Sequence, residues 1–187
     1  MIITGDTYIG RTAARSSSEW HSAWGGASSE RRRYQSYLAC VLGNDSALGF
    51  DLVDAEGQAG EGYDVIEVRQ CLDLSAVSGT PKVRICLRSG PFNSSSGIPG
   101  ISGYYPFGEY RFTLIRYGAL RLGNRTRLSD LFELDCAQLF DARGVSITSD
   151  SLLLLNVRGH GTSGSIQLVS RSLGLRLLKS YPSIYST

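Results

Sequence analysis

The feature that most constrains the fold of this chain is a series of short segments with β-strand alternation, separated by turn residues. In KVRICLR (82–88), Val83, Ile85 and Leu87 point to one face of an extended chain, and YRFTLIRY (110–117) alternates in the same way. The series continues with LGFDLV, YDVIEVRQCL, GVSIT, SLLLLNV, SIQLVS and LGLRLL. Short segments at even spacing are typical of all-β domains.

The pattern between the segments narrows the fold class further. No long helix is available to cross between parallel strands, which counts against a doubly wound α/β fold. No internal repeat at solenoid or propeller spacing is visible in the 187 residues. We therefore predict a mainly β protein that folds as an antiparallel β-sandwich or barrel, for which a jelly roll is one possible topology. Residues 34–187 are predicted to form one domain.

Two segments have a helical signal. The stretch SSERRRYQSYLACVLG predicts one short helix, since its apolar residues follow the i, i+3, i+4, i+7, i+8 spacing. These residues are Tyr34, Tyr37, Leu38, Val41 and Leu42. A strand over residues 37–42 is the alternative. Residues 126–140 leave open either a single helical turn begun by Ser129 or short strands.

Residues 1–33 differ in composition from the rest, being rich in Ser, Gly, Ala and Arg. We predict an extended N-terminal arm that becomes ordered against a partner. Its candidate contact residues are Trp20, Trp24, Arg31, Arg32 and Arg33. Arginines among aromatic rings also suit single-stranded nucleic acid, but three of them make a thin patch where binding usually draws on about 6–10 phosphate contacts.

The loop over residues 89–110 has no periodicity, and loops of this length usually carry a function or pack on a neighbouring molecule. It concentrates four aromatic residues: Tyr104, Tyr105, Phe107 and Tyr110. Such rings give rigid contact area at protein interfaces, so we predict that the loop is an interface. The alternative is a sugar-binding platform made of the three tyrosines.

Catalytic chemistry finds little support in the sequence. His160 follows a hydrophobic block, yet the neighbouring GTSGS lacks the G-x-S-x-G order of a nucleophile elbow. The plain interpretation pairs residues 152–157 with residues 166–170 and places His160 at the exposed tip of that hairpin. We predict that the protein is not an enzyme.

Metal and cofactor binding have equally weak signals. The acidic link over residues 51–64 has oxygen ligands of the kind that calcium takes, without the order of an EF-hand, and the sequence leaves calcium binding open there. The cysteines at positions 40, 71, 86 and 136 lack zinc or disulfide-scaffold spacing. We predict no metal and no cofactor, with free cysteines of which Cys71, Cys86 and Cys136 are buried.

The net charge of +2 is too small to draw the whole molecule to nucleic acid or to an anionic membrane. The first residues have no signal-peptide pattern, which predicts synthesis in the cytoplasm, and no apolar stretch reaches the roughly 18 residues of a membrane span. These features favour a structural or assembly protein: a β-sandwich subunit of a virus or phage particle that contacts its own copies or other particle subunits. The alternative is a carbohydrate- or ligand-binding β-sandwich.

Overall fold

The computed structural model describes residues 39–90, 100–124 and 127–170, and the backbone of residues 2–3 and 34–37. In these ranges the chain forms ten strands, one short helix and one 3₁₀ turn. The strands are β1 (Ile2–Ile3), β2 (Tyr34–Tyr37), β3 (Cys40–Gly43), β4 (Ala47–Leu52), β5 (Val65–Ala76), β6 (Val83–Ser89), β7 (Arg111–Arg121), β8 (Phe132–Gln138), β9 (Leu152–Arg158) and β10 (Gly164–Ser170). The helix α1 spans Leu128–Leu131 and the 3₁₀ turn spans Ser149–Ser151.

The strands form two sheets. The larger sheet has the order β1-β3-β5-β7-β10-β9, and β2 lies beside β5 at its N-terminal half. The smaller sheet has the order β4-β6-β8. Both sheets contribute side chains to one hydrophobic cluster, with Phe50 from the smaller sheet and Phe112 from the larger sheet fully buried in it.

From β3 to β8 the chain winds as a coil. Successive strands alternate between the two sheets, so each sheet receives every second strand and these strands are parallel. The connections that return to the larger sheet also stack, since Asp54 pairs in parallel with Ser102, and Ile101 with Asp141. This is the winding of a short parallel β-helix of three coils. The hairpin of β9 and β10 then continues the larger sheet in the antiparallel sense beside β7.

The predicted mainly β class is confirmed, whereas its antiparallel, barrel and jelly-roll forms are wrong. Antiparallel strand pairing is confined to β7, β10 and β9 in the described residues, and neither sheet closes. Parallel neighbours need a crossover, and here a strand of the other sheet supplies it instead of a helix. The coils have unequal lengths, because Cys40 lies opposite Leu72 and Leu72 opposite Leu120, so no sequence repeat marks them.

The helix predicted around Tyr34 to Leu42 is also wrong, because β2 and β3 cover this region. Residues 37–42 are a continuous apolar run that also serves as a strand, the alternative prediction for this segment, and pairing with β5 decides for the strand. The open question over residues 126–140 resolves into both alternatives in succession, with α1 followed directly by β8.

A β-bulge fixes how closely β5 and β7 approach. Arg69 and Gln70 of β5 lie between Val68 and Cys71, where the register with β7 shifts, and they face Gly118 alone. A Cβ atom built on Gly118 would lie 2.2 Å from the Arg69 carbonyl oxygen and 2.7 Å from that of Gln70. Only glycine fits at this position of β7.

Gly118→Ala is therefore expected to lower the free energy of unfolding by about 1–3 kcal/mol, because the backbone of β5 must move away. Gly43→Ala is the matched control, since an added Cβ there meets no heavy atom within 4 Å. Urea denaturation of both variants measures the difference. Equal stabilities for the two variants would contradict the close approach of β5 and β7.

Candidate functional site

The most exposed large apolar side chains of the described residues lie on one turn. We call residues 103–110, which lead into β7, the aromatic turn. Phe107 is 72% exposed and Tyr105 is 65% exposed, whereas Tyr104 is only 5% exposed and Tyr110 is half-buried. The four rings that the sequence grouped into one interface thus divide into two that face solvent and two that pack inward.

The inward pair joins the aromatic turn to the core. The ring centroids of Tyr104 and Tyr110 are 4.9 Å apart, and Tyr110 stacks on Phe112 at 6.4 Å with an interplanar angle of 22°. Phe112 in turn meets Tyr63 edge-to-face at 5.2 Å. These separations are those of favourable aromatic pairs, so the turn rests on a continuous ring stack.

The hydroxyl group of Tyr110 forms hydrogen bonds with the backbone of the turn. It donates a hydrogen bond to the Gly103 carbonyl oxygen at 2.8 Å and accepts one from the Tyr105 amide at 3.1 Å. The Gly108 amide donates to the Tyr105 carbonyl oxygen at 2.9 Å. The backbone that carries Tyr105 is therefore held on both sides, by one side chain and by the turn itself.

Ser170, the last residue of β10, holds the other end of the turn. Its hydroxyl accepts from the Tyr110 amide at 3.0 Å and donates to the Gly108 carbonyl oxygen at 3.2 Å, and its own amide donates to the Tyr110 carbonyl oxygen at 3.0 Å. Ser170 is 1% exposed. Sequence reasoning missed it, although the alternation of Ile166, Leu168 and Ser170 places it on the inward face of β10.

Two glycines permit this geometry. Gly103 has a φ of +69°, a left-handed conformation that glycine adopts without strain. A Cβ atom on Gly108 would lie 2.6 to 2.7 Å from the ring and hydroxyl atoms of Tyr110. The tyrosine hydroxyl can reach under the turn only because position 108 has no side chain.

Tyr104, which lies beneath the exposed rings of the turn, carries no charge. Burial raises the pKa of the Tyr104 hydroxyl, against an opposing effect of its hydrogen bond with Ser170. The phenol is therefore neutral at physiological pH. A rigid projection with two exposed rings suits contact with another apolar surface, and the exposed Glu109 lies beside them.

His160 lies where the hairpin interpretation predicts, between β9 and β10, and it is exposed. Its carbonyl oxygen accepts a hydrogen bond from the Ser163 hydroxyl at 2.8 Å, which helps to close the hairpin. In the part of the chain that the structure describes, its imidazole has no side-chain hydrogen-bond partner. The hairpin position of His160 is confirmed.

The carboxylates of the acidic link stabilise its own backbone. Asp51 pairs with Arg88 at 2.7 Å and its amide donates to the Asp64 carboxylate at 2.8 Å, while Asp54 accepts from the Glu56 amide at 3.0 Å. Among the described residues, no group of three or more His, Cys, Asp or Glu side chains has a metal-binding arrangement.

The four cysteines are free, and only Cys40 is buried. Cys71, Cys86 and Cys136 were predicted to be buried, and they are half-buried instead. Burial nevertheless raises the pKa of Cys40 and of Cys136 to about 11 and raises that of Cys86. The thiols of Cys40, Cys86 and Cys136 are therefore protonated and poor nucleophiles at neutral pH.

The remaining predicted contact residues cannot be placed. Trp20, Trp24, Arg31, Arg32 and Arg33 lie outside the described residues.

Within the ranges described, no helix has both the length and the apolarity to span a membrane.

Comparison with known proteins adds no relative. No protein-family model matches the chain, no curated protein matches its sequence and no solved structure matches its fold. The geometry of the site is therefore what a functional hypothesis must rest on.

Proposed function

We propose that this chain is a non-enzymatic structural protein, a β-rich subunit of a virus or phage particle, in the role of a capsid, decoration or tail component. It packs on copies of itself or on other particle subunits through the aromatic turn and the N-terminal arm of residues 1–33. The observation that carries the proposal is the exposure of Tyr105 and Phe107 on a turn that hydrogen bonds from Tyr110 and Ser170 hold in place.

Rigidity is what makes these rings suited to binding. A ring on a flexible loop loses conformational entropy when it docks, at a cost of about 0.5–1.5 kcal/mol for each immobilised side chain. The hydrogen bonds of Tyr110 and Ser170 have already removed most of the freedom of this backbone. Exposed aromatic residues with this support are the kind that dominate interface energies.

The proposal includes two finer features of the fold. The two sheets pack face to face as a sandwich, which the single hydrophobic cluster shared by both sheets supports. The N-terminal arm reaches a neighbouring subunit through the residues that follow β1, because β1 itself pairs with β3 of the same chain. The free cysteines and the two exposed rings of the aromatic turn fit a protein that works by packing.

The test replaces both exposed rings, in the variant Tyr105→Ala/Phe107→Ala. We expect the protein concentration at half-assembly, measured by sedimentation velocity, to rise by about tenfold to a hundredfold, as for the loss of interface hot spots. Stability should stay within about 0.5 kcal/mol of the wild type, because both side chains are exposed.

Val145→Ala is the matched control, since Val145 is 55% exposed on a different turn and its loss should leave assembly unchanged. A wild-type chain that stays monomeric at all concentrations, or a double variant that assembles normally, would refute the proposal. A monomer whose tyrosine fluorescence responds to glycans, with the response lost in Tyr105→Ala, would establish the carbohydrate-binding alternative instead.

A further inference from the structure

The outer edge of β9 is open in the described part of the chain. β9 is the last strand of the larger sheet and pairs only with β10. It carries no charged residue from Leu152 to Val157, and its outward row consists of Leu153 and Leu155, both half-buried, and Val157, which is 37% exposed. An apolar edge strand of this kind is a template for pairing with another strand.

The hydrogen-bond pattern shows which backbone groups are available. The Gly159 amide donates to the Ser163 carbonyl oxygen at 2.8 Å, which makes these two residues a hydrogen-bonded pair. Bonded pairs recur at every second residue of an antiparallel ladder, so the odd-numbered residues of β9 bond to β10. The N–H and C=O groups of Leu154, Asn156 and Arg158 and the C=O group of Leu152 therefore point away from the sheet, whereas the Leu152 amide donates a hydrogen bond to the Ser149 carbonyl oxygen.

The β8 edge of the smaller sheet is different. β8 also ends its sheet, but it carries the exposed Glu133, and the Asp135 carboxylate accepts a hydrogen bond from the Ala137 amide at 3.0 Å. Charges and occupied amides are the means by which proteins keep edge strands from pairing. β8 carries these features within the strand, whereas the charge of β9 is confined to Arg158 at its end.

We propose that β9 pairs with β9 of a second copy, antiparallel and around a two-fold axis at Leu155. This inference rests on the proposed assembly function and names one of its partners and contact surfaces. In this register Leu155 faces Leu155 of the second copy, and Leu153 faces Val157. The apolar row is thus complementary to itself, as an isologous interface requires.

Charge supports the same register. Arg158 lies opposite Leu152 of the second copy, and Asp150 precedes Leu152 by two residues. Asp150 lies in the 3₁₀ turn that leads directly into β9, so it flanks the end of the strand pair where the long side chain of Arg158 lies. Arg158 and Asp150 are both exposed and neither forms an ion pair within the described residues, so the dimer gains two new attractive contacts.

The test uses cysteine substitution in the full chain. Leu155→Cys places two thiols on the two-fold axis, and mild oxidation is expected to give a disulfide-linked dimer on a non-reducing gel. Leu153→Cys is the matched control on the same strand and face, and it should remain uncrosslinked because Val157 lies opposite. Equal crosslinking of both variants, or of neither, would overturn the proposed register.

Charge reversal gives a second test that requires no new cysteine. Arg158→Asp is expected to weaken the dimer about tenfold, and Asp150→Arg added to it should restore the affinity. A dimer affinity that is the same in the wild type, in Arg158→Asp and in the double variant would also overturn the proposal.

Hydrogen exchange distinguishes a second copy from a segment of the same chain on this edge. The Leu154 and Asn156 amides should become protected as protein concentration rises. Protection that is independent of concentration would mean that the same chain covers β9, and the inference would fail. The proposed function can stand in that case, because loss of assembly in Tyr105→Ala/Phe107→Ala does not depend on β9.

Discussion

Phe112→Ala is expected to lower the free energy of unfolding by about 3–5 kcal/mol, because it leaves a ring-sized cavity in the shared core. Phe112 is 1% exposed and is contacted by the rings of Tyr63 and Tyr110. Its loss removes dispersion contacts on both sides of the ring stack. Urea denaturation followed by circular dichroism measures the change.

The same substitution should loosen the aromatic turn, because Tyr110 then loses the ring on which it stacks. Leu114→Ala is the matched control: Leu114 lies on the same strand with 0% exposure, and its loss costs about 2–5 kcal/mol without touching the stack. Hydrogen exchange at the Tyr105 and Gly108 amides should accelerate more in Phe112→Ala than in Leu114→Ala. Equal acceleration would show that the stack does not support the turn.

Phe112→Leu is a second variant that can be measured if Phe112→Ala does not fold. Leucine keeps most of the buried volume, and we expect a loss of about 1 kcal/mol. The exchange of the two turn amides should still be faster than in the wild type, because an aliphatic side chain cannot stack on Tyr110.

Asp141→Ala is expected to lower the free energy of unfolding by about 3 kcal/mol, because the Asp141 carboxylate holds the turn of residues 141–145. It accepts hydrogen bonds from the Arg143 amide at 2.8 Å, the Val145 amide at 2.9 Å and the Arg143 guanidinium at 2.8 and 3.1 Å. Its side chain is 2% exposed, whereas that of Arg143 is 66% exposed. The two backbone amides therefore carry most of the effect, and the surface ion pair carries little.

A short series of variants separates these contributions. Arg143→Ala should cost less than about 1 kcal/mol, as for an exposed pair. Asp141→Asn keeps an oxygen that accepts from the amides but loses the charge, and we expect a cost of about 1–2 kcal/mol. An Arg143→Ala variant as unstable as Asp141→Ala would show that the ion pair, and not the turn, is the source of stability.

The pH dependence of unfolding gives an independent measurement. Burial acts to raise the pKa of Asp141, but the hydrogen bonds from Arg143 and Val145 together outweigh it and hold the pKa below its usual value. A carboxylate whose folded-state pKa is lowered stabilises the protein above its unfolded pKa of about 3.9. This stability should disappear as the pH falls below about 4 through the folded pKa, and Asp141→Asn should not show that part of the loss.

The alternation of apolar residues predicted the strands and their buried faces where it was regular. Val83, Ile85 and Leu87 are each at most 1% exposed, as KVRICLR indicates. Alternation reports which face of a strand is buried and carries no information about the neighbouring strand. Parallel coils and antiparallel hairpins therefore looked alike in the sequence, and the coiled winding could not be predicted.

The division of the aromatic turn into exposed and buried rings was beyond the sequence for a related reason. Tyr104 and Tyr105 are adjacent in an aperiodic segment, so no pattern assigns either of them to a face. Their positions depend on Tyr110 and Ser170, and Ser170 lies far along the chain on another strand. Such long-range hydrogen bonds leave no local signal.

The hydrogen bonds of Ser170 have a consequence for synthesis. Residue 170 of 187 leaves the ribosome long after the aromatic turn has emerged, so a nascent chain cannot fix that turn until its last described strand is added. A chain that ends before Ser170 would present Tyr105 and Phe107 on a loose backbone. Under the assembly function proposed above, the order of translation favours the incorporation of subunits whose β10 is complete.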